Sequence, residues 1–520
     1  MRQPVRCSPT ENDLALVVGA ALVLVTVVAL SRAGLSAHQA LLSQHNDLGN
    51  HLQALAAAAD GDLSMPQSNT IDGVVRSRFA VHSNWILWPA SVLWRLWPTP
   101  AFFLLFAVAA AAMASVAMGL AVARHGVVAG VLAATVVILH PWVHDAVLSD
   151  GHLTTWAAAF VAAAFGLRHR RPRLALACAV IALTVKEDMP AVGLAASAVL
   201  AIEGERRGAS FLALASVVML LVDAITLRVA GGPIATDRFD WLATTTMPTL
   251  LAHLTDPAIL RLPLFVLLSG GLLAGRGARW LLPTVPIIGL CMLDDGAYMT
   301  RLAGTYYLPL VVVFVVAAVD AGIVAGASVG RLWGLAGITI ASSAALSTLP
   351  TLAQARPRPE LVAAVHRLVE SRGLGGARLC VQNNLGPWLD PRAPVVAFPH
   401  CRPDDPRLFL LRATAPDDDG LTLRTDTASL LGAPLPVVLD ELDRLTDQGA
   451  EAVHDDAGVW LFIPPAPSSL STTGPAAVPP AWRDAVVRDV ARFTGELAER
   501  RMERAPLAEG LVRLAVGGKT

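Results

Sequence analysis

Apolar runs at residues 14–30, 101–122 and 306–319 restrict this chain more than any other feature of its sequence. A hydrocarbon core about 30 Å thick takes roughly 20 apolar residues of helix to cross, and these runs reach or approach that length. Composition agrees with a membrane setting. Of the 520 residues 54% are hydrophobic and 16% are charged, where a soluble domain carries about a quarter charged. The net charge of −1 supplies no basic field, so nucleic acid is excluded as a partner. The expected class is an all-α polytopic membrane protein.

About eleven spans are expected, at residues 14–33, 101–123, 126–142, 153–167, 174–185, 189–202, 210–230, 257–274, 281–293, 305–325 and 332–350. The arginines test that count, because cytoplasmic loops collect Lys and Arg. Arg2 and Arg6, then Arg124, then Arg168, Arg170, Arg171 and Arg173 fall on alternate loops, as do Arg206 and Arg207, Arg276 and Arg279, and Arg331. The opposite side keeps Arg76, Arg78, Arg95, Arg228, Arg238 and Arg301. This pattern predicts a multi-pass plasma-membrane protein with a cytoplasmic N-terminus and a large outside loop at 34–100. The first run is too long for a signal-peptide core and lacks a good cleavage site, so it is expected to stay as a span.

Lys186-Glu187-Asp188 separates two short apolar runs. We read them as a hairpin whose tip lies below the membrane surface, since a single long helix would reverse every loop downstream. Charges at such depth cost several kcal/mol unless they pair or line a water-filled cavity.

Beyond residue 350 the pattern turns to that of a soluble domain. The expected division is a transmembrane domain at 1–350, a small extracytoplasmic α/β domain at 351–465, and a Pro/Ser-rich linker with an amphipathic helix at 466–520. Helices are expected at 360–371 and 441–448, and strands at 377–381, 394–398, 435–439 and 458–463. Cys380 and Cys401 fall in this outside domain, where they either form a disulfide or stay buried as free thiols. Cys178 and Cys291 lie in apolar runs and read as small core residues. No cysteine spacing suggests a metal.

Polar residues collect on the outward loops. The first loop brings Asp47, Gln53, Asp60, Asp62 and His82, and the next brings Asp150 and His152. The hairpin tip adds Lys186, Glu187 and Asp188, and a later loop adds Arg301, Tyr306 and Tyr307. Each has a plainer reading. Asp47 also suits a helix N-cap, Asp60-Gly61-Asp62 an ordinary turn, and Arg301 a headgroup anchor. His152 also suits a satisfied interfacial histidine, and the hairpin charges a self-neutralising cluster. Trp85, Trp88, Trp94 and Trp97 are expected to form an aromatic belt at the interface.

The segment Asn46-Asp47-Leu48-Gly49-Asn50-His51-Leu52-Gln53 resembles the D-x-G-x-x-x-Q signature of bacterial membrane proteins grouped as domain-of-unknown-function family 2079. Further stretches match in order. They are Phe79-Ala80-Val81-His82, Asp150-Gly151-His152, Val185-Lys186-Glu187-Asp188, Tyr306-Tyr307-Leu308-Pro309, and the run from Val381-Gln382-Asn383-Asn384 to Pro391-Arg392. The resemblance covers roughly residues 14–465 and implies the GT-C fold of glycosyltransferases. That fold implies a polyprenyl-phosphate sugar as donor and an envelope glycan, lipid or protein as acceptor, with the lipid bilayer as setting.

The resemblance implies Asp47 as catalytic base. It implies substrate binding by Gln53, His82, Asp150, His152, Lys186, Glu187, Asp188, Arg301 and Tyr306. Nothing in the motifs requires a cofactor, although a divalent metal is compatible with them. Two other classes are weighed against the enzyme: a transporter or lipid flippase, which should show repeated halves, and a non-catalytic envelope scaffold.

Overall fold

The computed structural model describes residues 9–465, apart from 44, 69–73, 232–241, 243, 294–306, 326–327, 348, 350–354, 356, 411–434 and 455–458. The chain divides into two compact units. One comprises residues 1–35, 51–67 and 76–353, and the other is built on residues 36–50, 68–75 and the chain from 354 onward. The helix α1 (Pro9–Gln39) leads from one into the other. The expected amphipathic helix within 466–520 lies outside the described residues.

The first unit is helical. After α2 (Asn50–Ala59) and a short two-stranded ribbon of β1 (Pro66–Ser68) and β2 (Val75–Ser77) come α3 (Leu87–Trp94), α4 (Pro100–Val122), α5 (Val127–Leu139), α6 (Pro141–Leu148), α7 (Thr154–Leu167), α8 (Pro172–Leu183), α9 (Met189–Ile202) and α10 (Arg206–Val229). Then follow α11 (Met247–Leu254), α12 (Pro257–Leu268), a 3-10 segment at Gly271–Thr284, α13 (Val285–Leu293), α14 (Leu308–Val324) and α15 (Gly330–Leu346). The hub is α14, buried at every residue from Leu308 to Ile323. A helix apolar around its whole circumference must be enclosed, and α4, α5, α6, α7 and the 3-10 segment enclose it. Its one charge, Asp320, is fully buried and takes Arg124 and His125 from the turn after α4, the histidine at 3.0 Å. Pairing is what makes a buried carboxylate tolerable there.

Glycines set how closely these helices approach. Any side chain at Gly277 or Gly322 would strike the backbone of the facing segment, so the 3-10 segment and α14 cross at contact distance. Gly119 of α4 and Gly130 of α5 face each other in the same way, the small-residue packing expected of helices in lipid.

The eleven expected spans are not confirmed. Among the described residues three helices, Asn12–Gln39, Pro100–His125 and Arg206–Val229, are long and apolar enough to cross a bilayer. A fourth results if α5 and α6, bent by 45°, count as one span. The expected run 126–142 breaks at His140-Pro141 because a proline forces the preceding residue out of the helical region. His140 accordingly takes φ −63°, ψ 129°, and Pro141 opens α6. The run 281–293 is interrupted likewise: it begins as 3-10 helix around Pro283 and becomes α-helix only from Val285. Four more apolar helices, α7, α8, α9 and α14, are shorter. The expected hairpin forms, with α8 and α9 flanking a turn at residues 184–188.

The tryptophans expected as a belt divide between packing and surface. Trp85 and Trp88 pack edge-on to each other and around Phe79, and Trp94 is buried against Phe102, while Trp97 remains exposed. Their rings serve the packing of the first loop against the bundle.

The second unit is an α/β domain. Its five strands run β4 (Val395–Ala397), β3 (Leu379–Val381), β5 (Arg407–Leu410), β7 (Val459–Ile463), β6 (Glu451–His454). The pairs β3–β4 and β3–β5 are parallel, and β5–β7 and β6–β7 antiparallel. The amphipathic helix α16 (Pro359–Ser371) contributes Leu361, Ala364, Val365, Leu368 and Val369 to the core on one side. Residues 435–439, expected as a strand, instead open α17 (Leu435–Asp447). Pro436 suits a first helical turn, and the charged residues that follow continue the helical period. Strands β5 and β6 were not anticipated. Cys380 and Cys401 form a disulfide.

Candidate functional site

Two of the chemistry-bearing motifs acquire defined surroundings, one in each unit. In the helical unit the loop after β2 is tied to the tip of the α8–α9 hairpin. Ser77 caps a short 3-10 turn at Arg78–Ala80, and the chain then runs along the tip. Ile86 N–H donates to Thr184 O at 3.2 Å, and Asn84 Nδ2 donates to Val185 O at 2.7 Å. Glu187 closes the seam, accepting from Ser83 N–H at 3.2 Å and bonding His82 Nδ1 at 2.7 Å. Burial alone would raise the Glu187 carboxyl, but the adjoining His82 imidazole, with its hydrogen bond, and the Lys186 charge outweigh it and hold the group well below the usual carboxylate range.

Lys186 points into the bundle. Its Nζ donates to Tyr307 Oη at 2.6 Å, sits 4.4 Å from the centroid of that ring, and lies 3.4 Å from Asp188 Oδ2. Asp188 is nearly buried, and its Oδ1 has no hydrogen-bond partner among the described residues. The Tyr307 hydroxyl, which accepts from Lys186, also hydrogen-bonds to Asp188, and a bound hydroxyl could donate to the remaining Asp188 oxygen.

Behind His82, Arg78 is buried and held by three neutral groups: Asn84 Oδ1 at 2.8 Å, Gln67 Oε1 at 2.6 Å and His51 Nε2 at 3.1 Å. His51 in turn stacks on Phe103. Asp223 of α10 accepts from Trp85 Nε1 at 2.9 Å and fixes the other side of the loop. Two cations, three carboxylates, two imidazoles and a phenol thus converge at one end of the bundle. Such a set can bind an anionic group and hydroxyls together.

In the α/β unit Asp47 lies in a wide π-helical turn, His45–Gly49, directly before α2. It is therefore not a simple N-cap. Turns of this kind recur at functional sites, since they cost regular hydrogen bonding and persist only where something compensates. The turn packs against the short helix Gly386–Trp388 and against β4. The chain leading into it is pinned to the same place. His38 stacks on Trp388 with ring centroids 4.1 Å apart, Asn384 Nδ2 donates to Leu41 O at 3.1 Å, and Leu41 joins the domain core. The D-x-G segment and the Gln382-to-Trp388 run, more than 300 residues apart in sequence, are parts of one structure.

The other expected residues are dispersed. Gln53 is buried on α2, on a different face from His51, two residues earlier. Asp150 adopts a left-handed φ of 56° beside Gly151, and His152 is buried just before α7. Arg301 and Tyr306 lie outside the described residues. Asp60-Gly61-Asp62 forms the ordinary turn, Asp62 Oδ1 accepting from Ser64 N–H at 3.0 Å and from its hydroxyl. Among the described residues no three His, Cys, Asp or Glu side chains are grouped to hold a metal. Sequence reasoning passed over His51, Gln67, Asn84 and Asp223. Asp223, a carboxylate within an apolar run, is the one the sequence could have flagged.

The family described as "Predicted membrane protein (DUF2079)" matches this chain over residues 37–399. No curated protein matches it.

Proposed function

We propose, for a chain that belongs to the DUF2079 family of predicted membrane proteins, that it is an integral-membrane glycosyltransferase using a polyprenyl-phosphate sugar on the extracytoplasmic face. The observation that carries the reading is the hairpin tip. Lys186 is held between Tyr307 and Asp188, and an open Asp188 oxygen lies beside it. That arrangement suits a sugar phosphate, with the ammonium on the phosphate and the carboxylate on a hydroxyl. The Cys380–Cys401 disulfide suits an oxidising compartment and so an outside location for the α/β domain.

In this reading a carboxylate, the part that the family resemblance gives to Asp47, takes the proton of the acceptor hydroxyl as that oxygen bonds to the anomeric carbon. The bond from that carbon to the carrier phosphate breaks with inversion, and the phosphate leaves with both bonding electrons. Lys186 stabilises the charge that develops on it, assisted by Arg78, His152 or Arg301. Glu187 holds His82 and the hairpin tip in register, so that Lys186 is already placed when the donor arrives.

The break at His140-Pro141 is the feature a transporter would use, since transporters bind substrate at interrupted helices. Among the described residues it is the one such bent pair of apolar helices. A panel of radiolabelled polyprenyl-phosphate sugars presented to proteoliposomes separates the two activities. Label passing to an acceptor in wild type and lost in Lys186→Met supports the transferase. Label crossing the bilayer still attached to its carrier contradicts it.

A further inference from the structure

Away from the hairpin tip, the helical unit contains a half-open chamber of about 430 Å³ lined by α7, α8, α9, α10, α14 and Trp280 of the 3-10 segment. Its volume is in the range of ligand sites. The walls are almost entirely apolar, with Phe165, Leu176, Leu183, Met189 and Phe211 among them. Small residues such as Ala179 and Ala196 leave the space open. A sugar or nucleotide would find nothing on these walls to replace its hydration. A hydrocarbon chain would lose nothing.

One end of the chamber differs. Arg168, Arg173 and Arg207 line it there, against one carboxylate, Glu205. Arg168 is the informative one. Its side chain is only 10% exposed, and its guanidinium lies 3.9 Å from the Phe165 ring centroid and 4.7 Å from that of Trp280. Its Nε donates to His169 at 3.0 Å. Its ion pair with Glu203 Oε2 is long, 3.9 Å, while Glu203 Oε1 accepts from Arg279 at 3.0 Å and from Trp280 Nε1 at 2.8 Å. Arg168 Nη1 is buried and has no hydrogen-bond partner among the described residues. A buried guanidinium N–H without an acceptor is expensive, and an anion supplied by a ligand would relieve it.

We propose that this chamber binds the acyl chain of an anionic glycerophospholipid, with its phosphate on Arg168 and its headgroup between Arg173 and Arg207. The planar forks of the arginines match phosphate oxygens. The same three cations repel the quaternary amine of a phosphatidylcholine, which selects against zwitterionic lipid. In the orientation that the loop arginines suggest, this is the cytoplasmic leaflet. The proposal does not depend on the transferase reading.

The test uses full-length protein in phosphatidylcholine nanodiscs containing a phosphatidylglycerol with a diazirine on one acyl chain. Crosslinks mapped by mass spectrometry are expected on residues 176–183 and 189–200. Unlabelled phosphatidylglycerol should compete and phosphatidylcholine should not. Arg168→Gln should lower labelling about tenfold, the loss of one charge-assisted hydrogen bond. Ala179→Phe, which fills the chamber and keeps Arg168, should abolish it, and Ala196→Leu serves if that variant does not fold. Labelling spread over the outer helix faces and unchanged in these variants would overturn the proposal. So would equal competition by phosphatidylcholine, and stronger competition by a polyprenyl phosphate would reassign the chamber to a carrier lipid.

Discussion

Glu187→Gln tests how the hairpin tip is held. The carboxylate receives His82 at 2.7 Å and the Ser83 amide at 3.2 Å, one on each oxygen. Glutamine keeps one acceptor oxygen but turns an NH₂ toward the other donor, so at least one charge-assisted hydrogen bond is lost. Each is worth about 1.5–3 kcal/mol. A double-mutant cycle with His82→Ala should return a coupling of about that size, because the two side chains touch directly. The sign of the pH dependence follows from the depressed Glu187 carboxyl. Its contribution is fully present above the unfolded value of about 4.3 and is lost as pH falls from there toward the folded value. Thermal unfolding of purified protein in detergent should therefore show wild type above Glu187→Gln at pH 7, with the gap narrowing as pH falls below about 4.3 toward the folded value. A gap absent at pH 7, or one that does not change on acidification, would refute the assignment of Glu187 as the ionised clamp.

Other consequences can be measured separately. Replacing Cys380 and Cys401 by serine opens a bridge spanning 21 residues, worth about 3 kcal/mol in the chain-entropy account; hydrogen exchange should rise across β3, β5 and β7 and stay unchanged in α4 to α10. Asp320→Ala leaves Arg124 and His125 facing a dry helix, and should lower stability by about 2–3 kcal/mol, less than for a fully enclosed pair because Arg124 is partly exposed. Trp388→Ala removes the ring on which His38 stacks and should increase proteolysis of the 40–47 segment while leaving the α8–α9 hairpin intact.

The sequence told most about features whose physics is local. Three adjacent charges between two short apolar runs announced the α8–α9 hairpin, because a single long helix would reverse every arginine-bearing loop downstream. Hydropathy alone misled where backbone chemistry intervened, as at His140-Pro141 and Pro283, where prolines interrupt runs that look continuous. Residues 435–439 are apolar over five positions, which fits a strand or the face of a helix, and only the charged continuation decides. What could not be read was long-range pairing. The contact of His38 and Leu41 with Trp388 and Asn384 joins segments more than 300 residues apart, and no periodicity carries that information. The cradle of Arg78, to which His51 of α2, Gln67 of β1 and Asn84 contribute, depends in the same way on how three separate segments meet.

The most direct measurement of the central claim is transfer of radiolabelled sugar from polyprenyl phosphate by wild type, Asp47→Asn and Asp47→Glu at equal protein levels, with donor binding followed alongside. The account predicts transfer by wild type, loss of about 100-fold or more in Asp47→Asn as expected for removal of a general base, partial recovery in Asp47→Glu, and unchanged donor binding in all three. Equal transfer by wild type and Asp47→Asn would contradict it.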